Sequence, residues 1–271
     1  MNEPSILNSK EQRTRRNIAK MGAILAAVAL AKVERARASG ILSILPPILP
    51  PRPGMCLLRG TNIQTAAGQR KIEDLVIGDL LPTVFGGVRP IHWIGRYPMK
   101  KSDPSRPWVK EALPVRVARS ALAPHVPHAD LFVTGRHGLL IDGLLIPAGN
   151  LINGTTITLH EAHDVDEMEL FHIMLESHDA IYAEGTPVET LPSVDESAVN
   201  FAEYFRRYGI PETGQTRCAP YVSYGGGRDE LKSRIRSAIS PWVDRRQQID
   251  VIRDRLEERA TALTQELEPS I

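Results

Sequence analysis

The sequence contains few of the residues on which several classes of protein depend. Its 271 residues include only two cysteines, so it lacks the disulfide framework that stabilises small secreted domains. Cys56 and Cys218 could still pair with each other in an oxidising compartment. The 33 basic residues are balanced by 32 acidic ones, and aromatic residues make up 5%. Because a nucleic-acid surface requires a clustered basic excess, we expect no nucleic-acid partner.

Basic residues are instead concentrated at the N-terminus. Consecutive Arg15 and Arg16 precede an apolar run from Met21 to Ala31, which is shorter than the roughly 20 residues that span a bilayer. Ala36-Arg37-Ala38 then supplies a small-x-small cleavage pattern. The features predict a signal peptide of the twin-arginine type over residues 1–38, and hence an exported bacterial protein, periplasmic or secreted. An uncleaved, membrane-tethered helix is the alternative.

Residues 39–55 carry five prolines, which predict an extended tether. From residue 56 the chain changes to short runs of β-branched residues. Two hairpins are predicted, one turning at 66–68 and the other at Gly86-Gly87. Later short strands are predicted over 113–118, 131–134, 139–141, 155–160, 168–175 and 180–184. Frequent short strands at this spacing indicate an all-β domain, barrel-like or sandwich-like, over residues 56–192.

The pattern becomes helical in the last region, residues 193–271. Helices are predicted over 195–208 and 228–239, and a last one with Ser240 as N-cap and Pro241 at its first position. This last helix carries an apolar seam of Ile249, Ile252, Leu256 and Leu263. The seam predicts a helix packed on its neighbour rather than a coiled-coil dimer, because it lasts barely two heptads. The helical tail is also a candidate surface for a protein partner.

Three residues in the β-patterned region form a candidate nucleophilic site. Cys56 begins that region, and a cysteine is an effective nucleophile only when a neighbouring group assists its ionisation. An apolar strand after Asp130 ends in Thr134, and His137 follows three residues later. We therefore select Cys56, Thr134 and His137 as the candidate catalytic residues.

The same residues fall within sequence blocks that resemble the Hint domains, the self-processing β-folds shared by inteins and the C-terminal part of hedgehog proteins. The first block is C-x-x-x-G-T from Cys56 to Thr61, followed by I-x-T-x-x-G from Ile63 to Gly68. The others are I-E-D-L-V-I-G-D at 72–79, P-I-H-W-I-G at 90–95, T-x-x-H at 134–137, and a weaker block at 171–190 that is similar to the bacterial intein-like branch. Their order makes the resemblance specific, although each block alone is a weak signal.

The resemblance implies a chemistry as well as a fold. The implied fold is a Hint-type all-β domain of short strands, horseshoe-like or barrel-like. Its cysteine would attack the carbonyl of the residue before it, here Met55, and convert the Met55-Cys56 amide into a thioester. By the same resemblance, His137 would polarise the bond and protonate the departing amine, and Thr134 would hold it by hydrogen bonds. His178 lies where the family often has a second histidine that assists at the C-terminal end; a structural role is the alternative for it, because no asparagine is present for it to act on. The chain's own N-terminal segment would be the substrate.

The resemblance also implies how the reaction ends. Full splicing requires a terminal asparagine, whereas the matching position here reads Glu189-Thr190. We therefore expect water or a small nucleophile to resolve the thioester without splicing, and no cofactor to take part. Two rival hypotheses remain: a catalytically silent scaffold whose helical tail binds a partner, and a cysteine hydrolase in which Cys56 and His137 act on another molecule.

A group of histidines and acidic residues is also a candidate metal site. Its members are His160, His163, Asp164, Asp166 and His172. Their spacing does not match the H-E-x-x-H pattern, and a zinc site requires three or four ligands that converge on one point. We therefore predict no metal.

Overall fold

The computed structural model describes residues 54–163, 165–194, 197–209, 216–224, 227–241 and 243–267. The predicted signal peptide lies outside this part of the chain, and so does the proline-rich tether apart from Gly54 and Met55. Within the described residues, no helix is long and apolar enough to cross a membrane.

The β-domain consists of two sheets whose strands pair antiparallel. Their strands are β1 (Leu57–Leu58), β2 (Asn62–Thr65), β3 (Gly68–Lys71), β4 (Leu80–Thr83), β5 (Gly87–Pro90), β6 (Trp93–Lys100), β7 (Val115–Val117), β8 (Leu131–Val133), β9 (Gly138–Ile141), β10 (Leu144–Pro147), β11 (Ile157–Leu159), β12 (Glu167–Met174), β13 (Ala180–Ala183) and β14 (Thr186–Glu189). One sheet has the order β11-β7-β8-β1-β12-β6. The other has the order β10-β9-β14-β13-β2-β3, and β4 joins it through β13 and pairs with β5.

The all-β prediction is confirmed, and the described strands form open sheets rather than a closed barrel. Both predicted hairpins are present, as β2–β3 and β4–β5. Four strands were not predicted as separate strands, namely β1, β6, β10 and β14. The chain passes from the first sheet to the second at three connections, and one of them is residues 134–137, which connect β8 to β9.

Three helices follow the β-domain in the described residues. They are α1 (Phe201–Tyr208), α2 (Gly227–Ile239) and α3 (Gln248–Leu267), and three short 3₁₀ turns lie at Ile72–Asp74, Lys110–Ala112 and Ala148–Leu151. The predicted start of the last helix is wrong, because α3 begins at Gln248. Ser240 instead donates a hydrogen bond from its hydroxyl to the carbonyl of Ser237, 2.8 Å away, at the end of α2. Residues 195 and 196, where the first helix was predicted to begin, lie outside the described residues.

The helical tail shares the core of the β-domain. Ile249, Ile252 and Leu256 of α3 are at most 2% exposed and belong to the same apolar cluster as Leu139 and Ile146 of the β9–β10 hairpin. Each buried aliphatic side chain of this kind stabilises the fold by roughly 1.5–3 kcal/mol. The predicted seam is thus confirmed as a packing surface, and the tail is part of the domain rather than an appendage to it.

Candidate functional site

The register of the short strand β1 positions Cys56. Leu57 pairs with Val133 of β8 on one side and with Phe171 of β12 on the other. Continuing both antiparallel registers by one residue places Cys56 opposite Thr134 and opposite His172. A strand of two residues, paired on both edges, therefore fixes the cysteine between a threonine and a histidine.

Thr134 holds the backbone on both sides of Met55. Its hydroxyl oxygen accepts a hydrogen bond from the Cys56 amide at 2.8 Å and donates one to the Gly54 carbonyl at 2.7 Å. Its own amide donates to the Cys56 carbonyl at 2.9 Å. Thr134 is 3% exposed, so these bonds are shielded from water. The Met55-Cys56 peptide bond is thereby held between two anchored backbone positions.

His137 lies in the connection between the two sheets and is completely buried. The loop is fixed by its backbone, since the His137 amide donates to the Thr134 carbonyl at 3.0 Å and the Ala148 amide donates to the His137 carbonyl at 3.0 Å. Among the described residues, neither ring nitrogen of His137 has a hydrogen-bond partner. The backbones of Cys56 and Glu189 lie close to the ring but outside strict hydrogen-bond geometry. The His137 ring is therefore buried beside the Cys56 backbone, and neither of its nitrogens is hydrogen-bonded to another described residue.

Burial controls the protonation of this ring. Loss of solvent lowers the pKa of His137 to about 4, although the negative charge of Glu189 acts in the opposite direction. The His172 ring lies 4.8 Å from the His137 ring, centroid to centroid, and burial also holds the pKa of His172 well below its usual value. Both imidazoles are consequently neutral at pH 7, and a neutral imidazole can accept a proton from a thiol.

His178 is a third buried histidine and lies beside Glu189. Its side chain is fully buried, its Nδ1 accepts a hydrogen bond from the Cys218 amide at 3.0 Å, and its Nε2 lies 3.4 Å from Oε2 of Glu189. Cys218 itself is half-buried, and burial, reinforced by nearby carboxylates, raises the pKa of its thiol to about 11. Both cysteines are thiols in the structure.

Sequence reasoning did not recognise Glu189, His172 and Arg217 as parts of this site. Glu189 was noted only for not being an asparagine, and His172 only as a metal ligand. The candidate metal residues are dispersed: His163 pairs with Glu161 at 2.6 Å, and the ring of His160 lies 4.7 Å from that of Phe132. The described residues contain no group of three His, Cys, Asp or Glu side chains able to hold a metal, and Asp164 lies outside them.

About half of the chain is similar to known proteins. A family model described as "Hint domain" matches residues 55–195. The chain is also similar to solved structures of the gp41-1 intein (16% identity, TM-score 0.35, 50% of this chain and 98% of that one) and of a DnaB intein from Synechocystis sp. PCC 6803 (12% identity, TM-score 0.36, 51% and 99%). None of the curated proteins compared with the chain matches it.

Proposed function

We propose a function for this chain from one established premise, namely that it belongs to the Hint domain family. Hint domains of the intein type act on their own flanking segments. We propose that this domain cleaves its own chain between Met55 and Cys56 through a thioester. The observation that carries the proposal is the double hydrogen bond of Thr134, which anchors the amide nitrogen of that bond and the carbonyl one residue before it.

The proposed first step is an acyl shift from nitrogen to sulfur. The Cys56 sulfur adds to the Met55 carbonyl carbon, and the thiol proton passes to the neutral imidazole of His137. The C–N bond then breaks, and the imidazolium returns its proton to the departing amine of Cys56. A group that first takes and then returns one proton fits a buried histidine with both ring nitrogens available.

The proposed second step is attack on the thioester by water or a small thiol. With water, the S–C bond breaks, Met55 leaves as a carboxylic acid and Cys56 recovers its thiol. With an external thiol, Met55 leaves as a new thioester. We propose that the reaction stops there, because Glu189-Thr190 at the end of β14 supplies no asparagine for cyclisation.

Burial favours action on the chain itself over action on another molecule. Cys56 is 1% exposed and packs with Tyr97, Leu170 and Ala198. An added ester or amide would have to displace this packing to reach the sulfur. The Met55 carbonyl is already one residue away, so the intramolecular reaction needs no approach path.

The test is a mass measurement on the purified full chain, incubated with and without dithiothreitol, beside Cys56→Ala. The proposal expects a fragment that begins at Cys56, formed faster with the thiol and absent from Cys56→Ala. Cys218→Ala is the matched control, since it removes the chain's other cysteine and should cleave like the parent. If the parent stays intact with its cysteines reduced, self-cleavage is refuted and the silent scaffold is the better description.

A further inference from the structure

A buried carboxylate ends the strand that runs beside the His137 loop. The register of β14 on β9 pairs Val188 with Leu139, which places Glu189 opposite Gly138. Oε1 of Glu189 accepts a hydrogen bond from the Gly138 amide at 2.7 Å, and the residue is completely buried. The carboxylate is therefore fixed to the backbone of the residue that directly follows His137.

Gly138 is required for this approach. A Cβ atom at position 138 would lie 2.6 Å from Oε1 of Glu189 and 2.9 Å from its Cδ, distances that real Cβ atoms do not tolerate. The Glu189 carboxylate thus fills the space that a side chain next to His137 would occupy.

The other carboxylate oxygen is bound by an arginine from beyond the matched family region. Nη1 of Arg217 lies 2.7 Å from Oε2 of Glu189, and the Arg217 guanidinium stacks 4.2 Å above the ring of Tyr221. The segment that carries it is anchored to β10, because the Leu145 amide donates to the Pro220 carbonyl and the Val222 amide to the Leu145 carbonyl, both at 2.9 Å. The tail therefore contributes a fixed positive charge to one side of the site.

The titratable and charged groups near His137 and Glu189 come from several places in the fold. Cys56 and His172 lie beside His137, His178 and Arg217 lie beside Glu189, and Arg136, the residue before His137, is exposed. A carboxylate buried away from water normally takes up a proton. Burial has the largest effect on the pKa of Glu189 and raises it, but the His178 ring, His137, the Gly138 amide and Arg217, in decreasing order of effect, together hold that pKa below its usual value.

We propose that Glu189, bound by Arg217, is a positioning residue that places a negative charge beside His137 and stabilises its imidazolium while the amine of Cys56 departs. The inference rests on the proposed function, because it assigns a role within that reaction. It also makes the tail a part of the site, since Arg217 lies outside residues 55–195. A buried acceptor aimed at developing charge is a common source of electrostatic catalysis.

The test compares Glu189→Gln with Glu184→Gln. Glutamine at 189 keeps an oxygen that can accept the Gly138 hydrogen bond but removes the charge. Glu184 is the matched control, since it is a second buried glutamate, 3% exposed, that bonds to Asn62 at the other end of the β13–β14 hairpin. We expect thiol-induced cleavage at pH 7 to slow about tenfold or more in Glu189→Gln, because an adjacent opposite charge changes the protonated fraction of a neighbour by at least about that factor. Glu184→Gln should cleave at the parent's rate.

A second readout separates this inference from the proposed function. In the Cys56→Ala background, which does not cleave, the His137 ring protons are followed by NMR as the pH is lowered. Their midpoint should move to lower pH with Glu189→Gln and stay in place with Glu184→Gln. Arg217→Lys should preserve the midpoint better than Arg217→Met, because lysine keeps a positive charge beside the carboxylate. An unchanged His137 midpoint in Glu189→Gln would overturn the inference, whether or not the parent cleaves.

Discussion

Replacement of Thr134 by valine tests whether its hydroxyl is the anchor of the scissile bond. Valine has nearly the same shape, so the variant mainly removes the two hydrogen bonds of that hydroxyl. The buried Cys56 amide is left without its acceptor at 2.8 Å, and the part-buried Gly54 carbonyl without its donor at 2.7 Å.

The expected cost follows from those two losses. An unsatisfied buried amide costs about 1–3 kcal/mol, and an ordinary hydrogen bond contributes about 0.5–1.5 kcal/mol. We therefore expect Thr134→Val to lower the free energy of unfolding by about 2–4 kcal/mol. If the same bonds hold the reacting amide in place, a comparable loss in the transition state would slow cleavage on the order of a hundredfold.

The assay is urea unfolding in the Cys56→Ala background, which keeps the Cys56 amide and prevents cleavage, together with cleavage rates in the parent background. Thr186→Val is the matched control. Thr186 is also completely buried, but its hydroxyl oxygen has no hydrogen-bond partner among the described residues, so its loss should be neutral or stabilising. Thr134→Ser keeps the hydroxyl and should restore most of both properties. Equal stability and equal cleavage in Thr134→Val and Thr186→Val would refute the anchoring role.

Two further predictions concern protonation and the tail. Burial lowers the pKa of His137 to about 4 from an ordinary 6.5, so the unfolded chain takes up a proton on His137 at a higher pH than the folded chain does. The contribution of His137 to the free energy of unfolding should therefore be fully present above about pH 6.5 and should drop by about 3 kcal/mol towards pH 4. His137→Gln should flatten that part of the stability profile, and an unchanged slope in urea unfolding at several pH values would contradict it. Leu256→Ala in α3 should cost about 2–4 kcal/mol, because the side chain is 2% exposed in the shared core, whereas Leu231→Ala, at a position 59% exposed, should be close to neutral. Equal melting temperatures for these two variants would show that α3 does not stabilise the β-domain.

The strands that sequence reasoning found are those with a local signal. The turn between β2 and β3 ends at Gly68, whose φ of 111° favours a residue without a side chain, and Ile63 and Thr65 before the turn are β-formers. The strand β10 had a comparable signal that was overlooked. Asp142-Gly143, with φ values of 49° and 78°, is a two-residue hairpin turn between β9 and β10.

The strand β14 was harder to recognise. Its turn is formed by Glu184 and Gly185, with φ values of 46° and 76°. Glutamate is an unusual residue for that conformation, in which asparagine, aspartate or glycine are favoured. The Glu184 carboxylate accepts a hydrogen bond from the backbone amide of Asn62 at 2.6 Å and another from the side-chain amide of Asn62 at 2.9 Å. Contacts from a distant strand therefore accompany a turn that local preference disfavours.

Tertiary contacts also set the start of α3. Asp250 is completely buried and binds Arg236 of α2 through both oxygens, at 2.6 and 3.0 Å. Its carboxylate also accepts a hydrogen bond from the Gln247 amide at 2.8 Å, at the first turn of α3. An interhelical ion pair thus caps the helix, and the local signal at Ser240-Pro241 does not prevail.

Local sequence signals likewise account for only part of the candidate site. Cys56, Thr134 and His137 were found because each belongs to a short block. Glu189 lies in the weaker block at 171–190 but was noted only for not being an asparagine, Arg217 belongs to no block, and the two residues meet only in the fold. The two residues are 28 positions apart in the sequence, and no local pattern links them. The surroundings of Cys56 and of Glu189 also depend on the tail, because Ala198 packs against Cys56 and Arg217 forms an ion pair with Glu189. The surroundings of Cys56 are therefore complete only when the chain from Cys56 to Arg217 has folded as one unit, and removal of the tail would take Ala198 away from Cys56 and leave the buried Glu189 carboxylate without its arginine.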